Sequence, residues 1–111
     1  NSGFNHFIRP IFYNSFHEII NISNPNDKKY EYDVVGYICE QDNFALKRKI
    51  SKVRKGDILC FKNAGAYCFS MSSNYNSRLK PAEVCIYNNK ILKIREAQSL
   101  DDLLLGQIDI F

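Results

Sequence analysis

Short stretches in which apolar or aromatic residues alternate with polar ones recur along this chain. Five of them read as strands, at residues 18–22, 30–38, 58–61, 82–87 and 91–95, each rich in β-branched or aromatic side chains. Asn88 and Asn89, between the last two, predict a tight hairpin, because Asn tolerates positive φ. Arg54-Lys55-Gly56-Asp57 predicts another turn just ahead of a strand, and Asn24-Pro25-Asn26-Asp27 predicts a loop. One helix stands out near the end, with Ser99 as N-cap, Asp102 three positions on, Leu103 to Leu105 following and Gly106 as its stop. Short strands punctuated by turn signals point to a mainly β fold, a small barrel or sandwich with short helices.

Composition narrows this picture only a little. At 111 residues the chain can bury one core, so residues 1–111 are read as one domain. A hydrophobic share of 45% and a charged share of 24% are ordinary for a globular domain, and a net charge of +3 is too small to argue for nucleic acid or a membrane surface. No apolar run approaches the roughly 20 residues of a bilayer span, and Asn1 opens no signal-peptide pattern. Cys39, Cys60, Cys68 and Cys85 show neither Cys-x-x-Cys spacing nor a paired His pattern, so no metal is expected. Cys60 and Cys85 fall inside apolar strand-like runs and are expected to be buried thiols in a reducing cytoplasm.

The densest chemistry lies in Gly65-Ala66-Tyr67-Cys68-Phe69-Ser70-Met71-Ser72-Ser73-Asn74-Tyr75-Asn76-Ser77-Arg78. Small residues let backbone approach a ligand closely, while Tyr and Arg offer a hydroxyl donor and a planar cation, the makings of a binding rim. Two upstream segments sharpen this: Ser2-Gly3-Phe4-Asn5 through Ile8-Arg9-Pro10-Ile11-Phe12-Tyr13, then Asp33-Val34-Val35-Gly36-Tyr37-Ile38-Cys39-Glu40. In that order and at those intervals, with Gly65-Ala66-Tyr67, they resemble the C-terminal domain of the diaminopimelate decarboxylase family. The resemblance runs from Asn1 to about Leu105, and the Cys-Glu pair with Ser-Asn-Tyr-Asn-Ser-Arg is its most specific part.

The resemblance implies a Greek-key-like β-barrel beside a separate (β/α)8 barrel, in a pyridoxal 5'-phosphate enzyme of the alanine-racemase-like fold class (fold type III). In that family a lysine of the (β/α)8 barrel holds the cofactor as a Schiff base. Such a barrel takes about 250 residues, so this chain would be a C-terminal fragment bearing half an active site. The family's β-barrel also borrows a strand from the N-terminal end of the full protein. The implied reaction converts meso-2,6-diaminopimelate to L-lysine and carbon dioxide in a cytoplasmic homodimer, with its site shared across the interface.

Arg9 and Tyr13, four apart, can present a guanidinium and a phenol on one turn as a carboxylate clamp. From residue types alone, a surface Arg beside a half-buried Tyr is the commoner case. The resemblance reverses that and gives the pair the substrate carboxylate that is not removed. Cys39 and Glu40 follow an apolar run; a thiol can donate a proton, and a carboxylate can hold an ammonium. The resemblance makes Cys39 the proton donor and Glu40 the partner of the distal amino group, both reaching into the other subunit's site. It departs at Gln41-Asp42-Asn43, where relatives usually carry Ser or Thr and then a small or acidic residue.

Tyr67 has two readings, a strand aromatic filling the barrel or, by resemblance, a contact to cofactor phosphate and substrate. Cys68 stands where many relatives have Gly, and residues 72–78 read as support for Tyr67. His6 and His17 lie near no nucleophile motif, and His17 reads as a hydrogen-bonded structural residue. Lys47, Arg48, Lys49, Lys52, Arg54 and Lys55 form the only basic cluster, read as a solvated face. Two other functions compete. A sister decarboxylase for ornithine, arginine or carboxynorspermidine would not need the second carboxylate's clamp. A free-standing β-barrel for single-stranded nucleic acid would use aromatics interleaved with cations, a pattern that Tyr30, Tyr32, Tyr67 and Tyr75 do not follow.

Overall fold

The computed structural model describes residues 1–110, which divide between two compact units, Asn1–Ser72 and a second beginning at Ser73. The first unit holds helix α1 (Arg9–Tyr13), strands β1 (Ile19–Asn21), β2 (Lys29–Val35), β3 (Asn43–Ser51) and β4 (Leu59–Phe61), and helix α2 (Gly65–Cys68). The second holds a 3-10 turn (Tyr75–Ser77), strands β5 (Glu83–Tyr87) and β6 (Lys90–Arg95), and helix α3 (Leu100–Leu104). The strands pair antiparallel as β1 with β4, β2 with β3 and β5 with β6; among the described residues no sheet closes into a barrel.

Ile19, Ala45 and Ile50 form the buried core of the first unit, with Tyr32, Val34, Val53, Leu59 and Phe61 packed against them. Beside it Phe7, Phe44 and Phe61 meet ring to ring, with centroids 5.2–6.3 Å apart. Asn21, only 1% exposed, satisfies its whole amide. Its Nδ2 donates to Lys52 O (3.0 Å) and Asp57 Oδ2 (2.8 Å), and its Oδ1 accepts from the N–H groups of Ser23 and Asn24. Asp57 thereby ties the turn before β4 to the loop after β1, and these hydrogen bonds, led by that from Asn21, hold its carboxyl below the ordinary value.

Strand β3 is the longest element and had no counterpart among the expected strands. Its inward residues are not spaced by two, because Leu46 and Lys47 together oppose the single residue Asp33. Lys47 takes φ 51° there, and its N–H donates to Asp33 Oδ1 at 2.8 Å. This bulge puts Phe44 and Ala45 inside next to each other and hides the alternation. Strand β2, expected to reach residue 38, ends at Val35, where the chain turns into the loop carrying Cys39.

The expected turns form. Asn88 and Asn89 have φ of 48° and 57° between β5 and β6, and Gly56 has φ +93°. Ser99 and Asp102 form the reciprocal cap of α3, with the Ser99 N–H donating to Asp102 Oδ2 at 2.6 Å. All four cysteines are free thiols. Cys60 in β4 and Cys85 in β5 are half-buried, contrary to the expected burial, because each belongs to a two-stranded sheet with incompletely covered faces.

Candidate functional site

Helix α1 is short, and Pro10 sits in its first turn, where the missing N–H costs nothing. Asn14 adopts the left-handed conformation (φ 51°, ψ 35°) and returns its N–H to Arg9 O, which ends the helix after a single turn. That turn places Arg9 and Tyr13 on one face. Tyr67 arrives from α2, whose Cys68 thiol donates to His6 O at 3.1 Å just ahead of α1. Tyr67 is therefore a helical residue about half exposed, not a strand aromatic filling an interior.

These three side chains meet. The guanidinium carbon of Arg9 lies 4.8 Å from the Tyr67 ring centroid and 5.5 Å from that of Tyr13. Ring faces hold a cation through the quadrupole without consuming its N–H donors as a carboxylate would. None of the ion pairs among the described residues involves Arg9. A half-buried guanidinium held by two aromatic faces, with phenol hydroxyls on both neighbours, has donors of the kind that suit a planar anion.

Cys39 and Glu40 form a second group on the exposed loop between β2 and β3, where the Cys39 thiol donates to Glu40 Oε2 at 3.4 Å. Both groups share a frame in the N-terminal turn. His6 packs edge-on against Tyr37 at 6.2 Å, and the Tyr37 N–H donates to Ser2 O. His17 donates its Nδ1–H to Lys62 O (3.1 Å) and packs edge-on against Phe7, a structural position as expected. The basic cluster is dispersed: Arg48 lies over the Phe16 ring at 4.2 Å, and Arg54 pairs with Asp27 at 2.6 Å. A cavity of about 530 Å³ runs beside Pro10, Ile11, Phe16, Phe44, Leu46 and Arg48, and none of the expected site residues lines it.

Among the described residues no three His, Cys, Asp or Glu side chains are arranged to hold a metal, and no helix is long and apolar enough to cross a membrane. The residue that sequence reasoning missed is Asp42, buried behind the Cys39–Glu40 loop. Its signal lay in the departure at Gln41-Asp42-Asn43 together with Gly36 at the other end of the loop.

The profile of the family described as "Pyridoxal-dependent decarboxylase, C-terminal sheet domain" matches residues 1–65. A diaminopimelate decarboxylase of Methanothermobacter thermautotrophicus is 46% identical over 108 residues, covering 96% of this chain and 25% of the relative. The diaminopimelate decarboxylase of Aquifex aeolicus is 42% identical over 110 residues, 98% of this chain and 26% of the relative. The crystal structure of an Aquifex aeolicus protein superposes with a TM-score of 0.91 at 41% identity, covering 99% of this chain and 28% of that one. The diaminopimelate decarboxylase of M. jannaschii in complex with L-lysine gives 0.89 at 34% identity, covering 98% and 25%. The chain thus spans about a quarter of the length of the curated relatives it matches.

Proposed function

This chain belongs to the pyridoxal-dependent decarboxylases, as their C-terminal sheet domain, and from that membership we propose that it is part of a diaminopimelate decarboxylase converting meso-2,6-diaminopimelate to L-lysine and carbon dioxide. The observation that carries the reading is Arg9, a guanidinium over the rings of Tyr13 and Tyr67 that pairs with no carboxylate among the described residues. A substrate with a second carboxylate supplies the missing anion. Ornithine, arginine and carboxynorspermidine decarboxylation would leave the carboxylate that is lost as the only one to bind, and this clamp would serve no retained group.

The donor set fits the cofactor. Tyr67 offers a half-exposed phenol, and space beside Gly65 is open, as a phosphate-bearing ring against this edge requires. Tyr67 is the residue of this chain that would hold pyridoxal phosphate. When bound, that group supplies an electron sink for the pair left at Cα as carbon dioxide departs. Arg9 and Tyr13 hold the carboxylate that stays, and Glu40 accepts hydrogen bonds from the distal ammonium. Together they decide which of two ends, alike in their groups and opposite in handedness, loses carbon dioxide. Cys39 then gives its Sγ proton to Cα, so that a C–H bond stands where the bond to the lost carboxylate was.

Cys39 and Glu40 act in the site of a second copy of the enzyme, so the working unit is a homodimer that also carries a (β/α)8 barrel. The exposed Val84, Ile86, Ile91 and Ile94 of the β5–β6 hairpin support a β-barrel that is completed by strands from outside this chain. Four free thiols suit a reducing, cytoplasmic setting.

The test is substrate preference of the full-length enzyme loaded with pyridoxal phosphate. Carbon dioxide and L-lysine should form from meso-diaminopimelate at least about 100-fold faster than carbon dioxide forms from ornithine or arginine. Comparable rates on ornithine would overturn the assignment.

A further inference from the structure

The loop that carries Cys39 and Glu40 closes around one buried carboxylate. Asp42 is 4% exposed, and its partners are backbone N–H groups. Oδ1 accepts from the Phe4 N–H at 2.9 Å, and Oδ2 accepts from the Ile38 N–H at 3.0 Å. The Asp42 main-chain carbonyl accepts from the Gly36 N–H at 2.7 Å, which joins the two ends of the loop. Two glycines give the carboxylate its room. A methyl group at Gly36 would overlap it, and one at Gly3 would lie 2.7 Å from Oδ2. One side chain thus fastens the loop base to itself and to Phe4, in the turn that leads through His6 and Phe7 into α1 and Arg9.

We infer that Asp42 is a positioning residue, the lock that sets Cys39 and Glu40 in register with the Arg9 clamp's own segment. This rests on the proposed roles of Cys39 and Glu40. Both carboxylate oxygens are acceptors here, so no neutral amide can replace them: the NH2 of an Asn would face an N–H donor. The partners are backbone, so the lock is indifferent to the side chains of the loop, and the residues that do chemistry remain exposed above it. The buried carboxylate also explains why this chain tolerates its unusual Gln41-Asp42-Asn43: the central residue has an internal task, and Gln41 points to an exposed position.

The test uses the full-length enzyme with pyridoxal phosphate and compares wild type, Asp42→Asn, Cys39→Ala and the double variant. Hydrogen exchange should quicken at least about tenfold at the amides of residues 36–42 and of Phe4 in Asp42→Asn, with the β5–β6 hairpin unchanged. The value of kcat should fall about tenfold in the same variant. In the Cys39→Ala background the further loss on adding Asp42→Asn should shrink to less than about twofold, because the lock acts through the group already removed. Gly36→Ala pushes a methyl into the same carboxylate and should quicken the same amides, so the inference does not hang on one variant. Unchanged exchange in both, or an equal fold-loss of kcat in both backgrounds, would overturn the positioning role while leaving the site reading intact. Wild-type kcat in Cys39→Ala alone would instead overturn the reading of the site, and the role of Asp42 with it.

Discussion

At the scale of single residues, two polar positions show what holds the site's scaffold. Truncating Asn21 to Ala would strand the Ser23 and Asn24 N–H groups and take a donor from the Lys52 carbonyl and from Asp57. The expected loss is about 1–3 kcal/mol in urea unfolding. Asp57 makes a related prediction with a pH sign. Its carboxyl is held below the model-peptide value of 3.8, first by Asn21 and then by the Arg54 N–H. The unfolded chain therefore binds this proton more readily than the folded one. The stabilisation is complete above the unfolded value and disappears as pH falls through the lower folded value. The stability gap between wild type and Asp57→Asn should accordingly be constant near neutrality and shrink below about pH 4; a gap independent of pH would contradict the assignment. At the site itself, the roles separate kinetically. If Glu40 holds the distal ammonium, Glu40→Gln removes a charged hydrogen bond worth about 1.5–3 kcal/mol and should raise KM roughly tenfold or more. Cys39→Ala should lower kcat with substrate affinity little changed; equal effects on affinity would contradict the division. The spacing of Arg9 and Tyr13 made their shared face legible in the sequence. The approach of Tyr67 was not, since nothing local announces which side chain a distant helix will bring over a guanidinium.

Elements divide in the same way. The β5–β6 hairpin, the Arg54–Asp57 turn and the α3 cap rest on residues adjacent in sequence, with backbone requirements that Asn, Gly, Ser and Asp advertise. Strand β3 rests on a bulge, and a bulge erases the period by which a strand is recognised. Its charged centre, Lys47 to Lys49, looks like a solvated run even though Phe44, Ala45 and Ile50 anchor the core on either side. Lys47 carries the positive φ, so Lys47→Gly should leave stability unchanged or raise it by up to about 1 kcal/mol. Lys47→Val should lower it by about 1–2 kcal/mol, because a β-branched side chain resists that conformation. Urea midpoints for the two variants decide the matter; Val tolerated better than Gly would mean the bulge lies elsewhere.

At the scale of the whole molecule, the mainly β character was legible and the three separate two-stranded sheets were not. Strand existence follows from local pattern, whereas which strands pair, and whether a sheet closes, depends on partners that local pattern does not name. The chain by itself is expected to release no carbon dioxide from meso-diaminopimelate with added pyridoxal phosphate, since 111 residues cannot include a (β/α)8 barrel of about 250. Steady turnover by the purified chain would contradict the division of the active site between domains. The most direct test of the clamp is the ratio of kcat/KM for meso-diaminopimelate to that for L-lysine, measured in the full-length enzyme before and after Arg9→Ala. If Arg9, held over the rings of Tyr13 and Tyr67, binds the retained carboxylate, the ratio falls by about 100-fold or more while the trace activity on lysine barely changes. A ratio untouched by the substitution would mean that the carboxylate is held elsewhere.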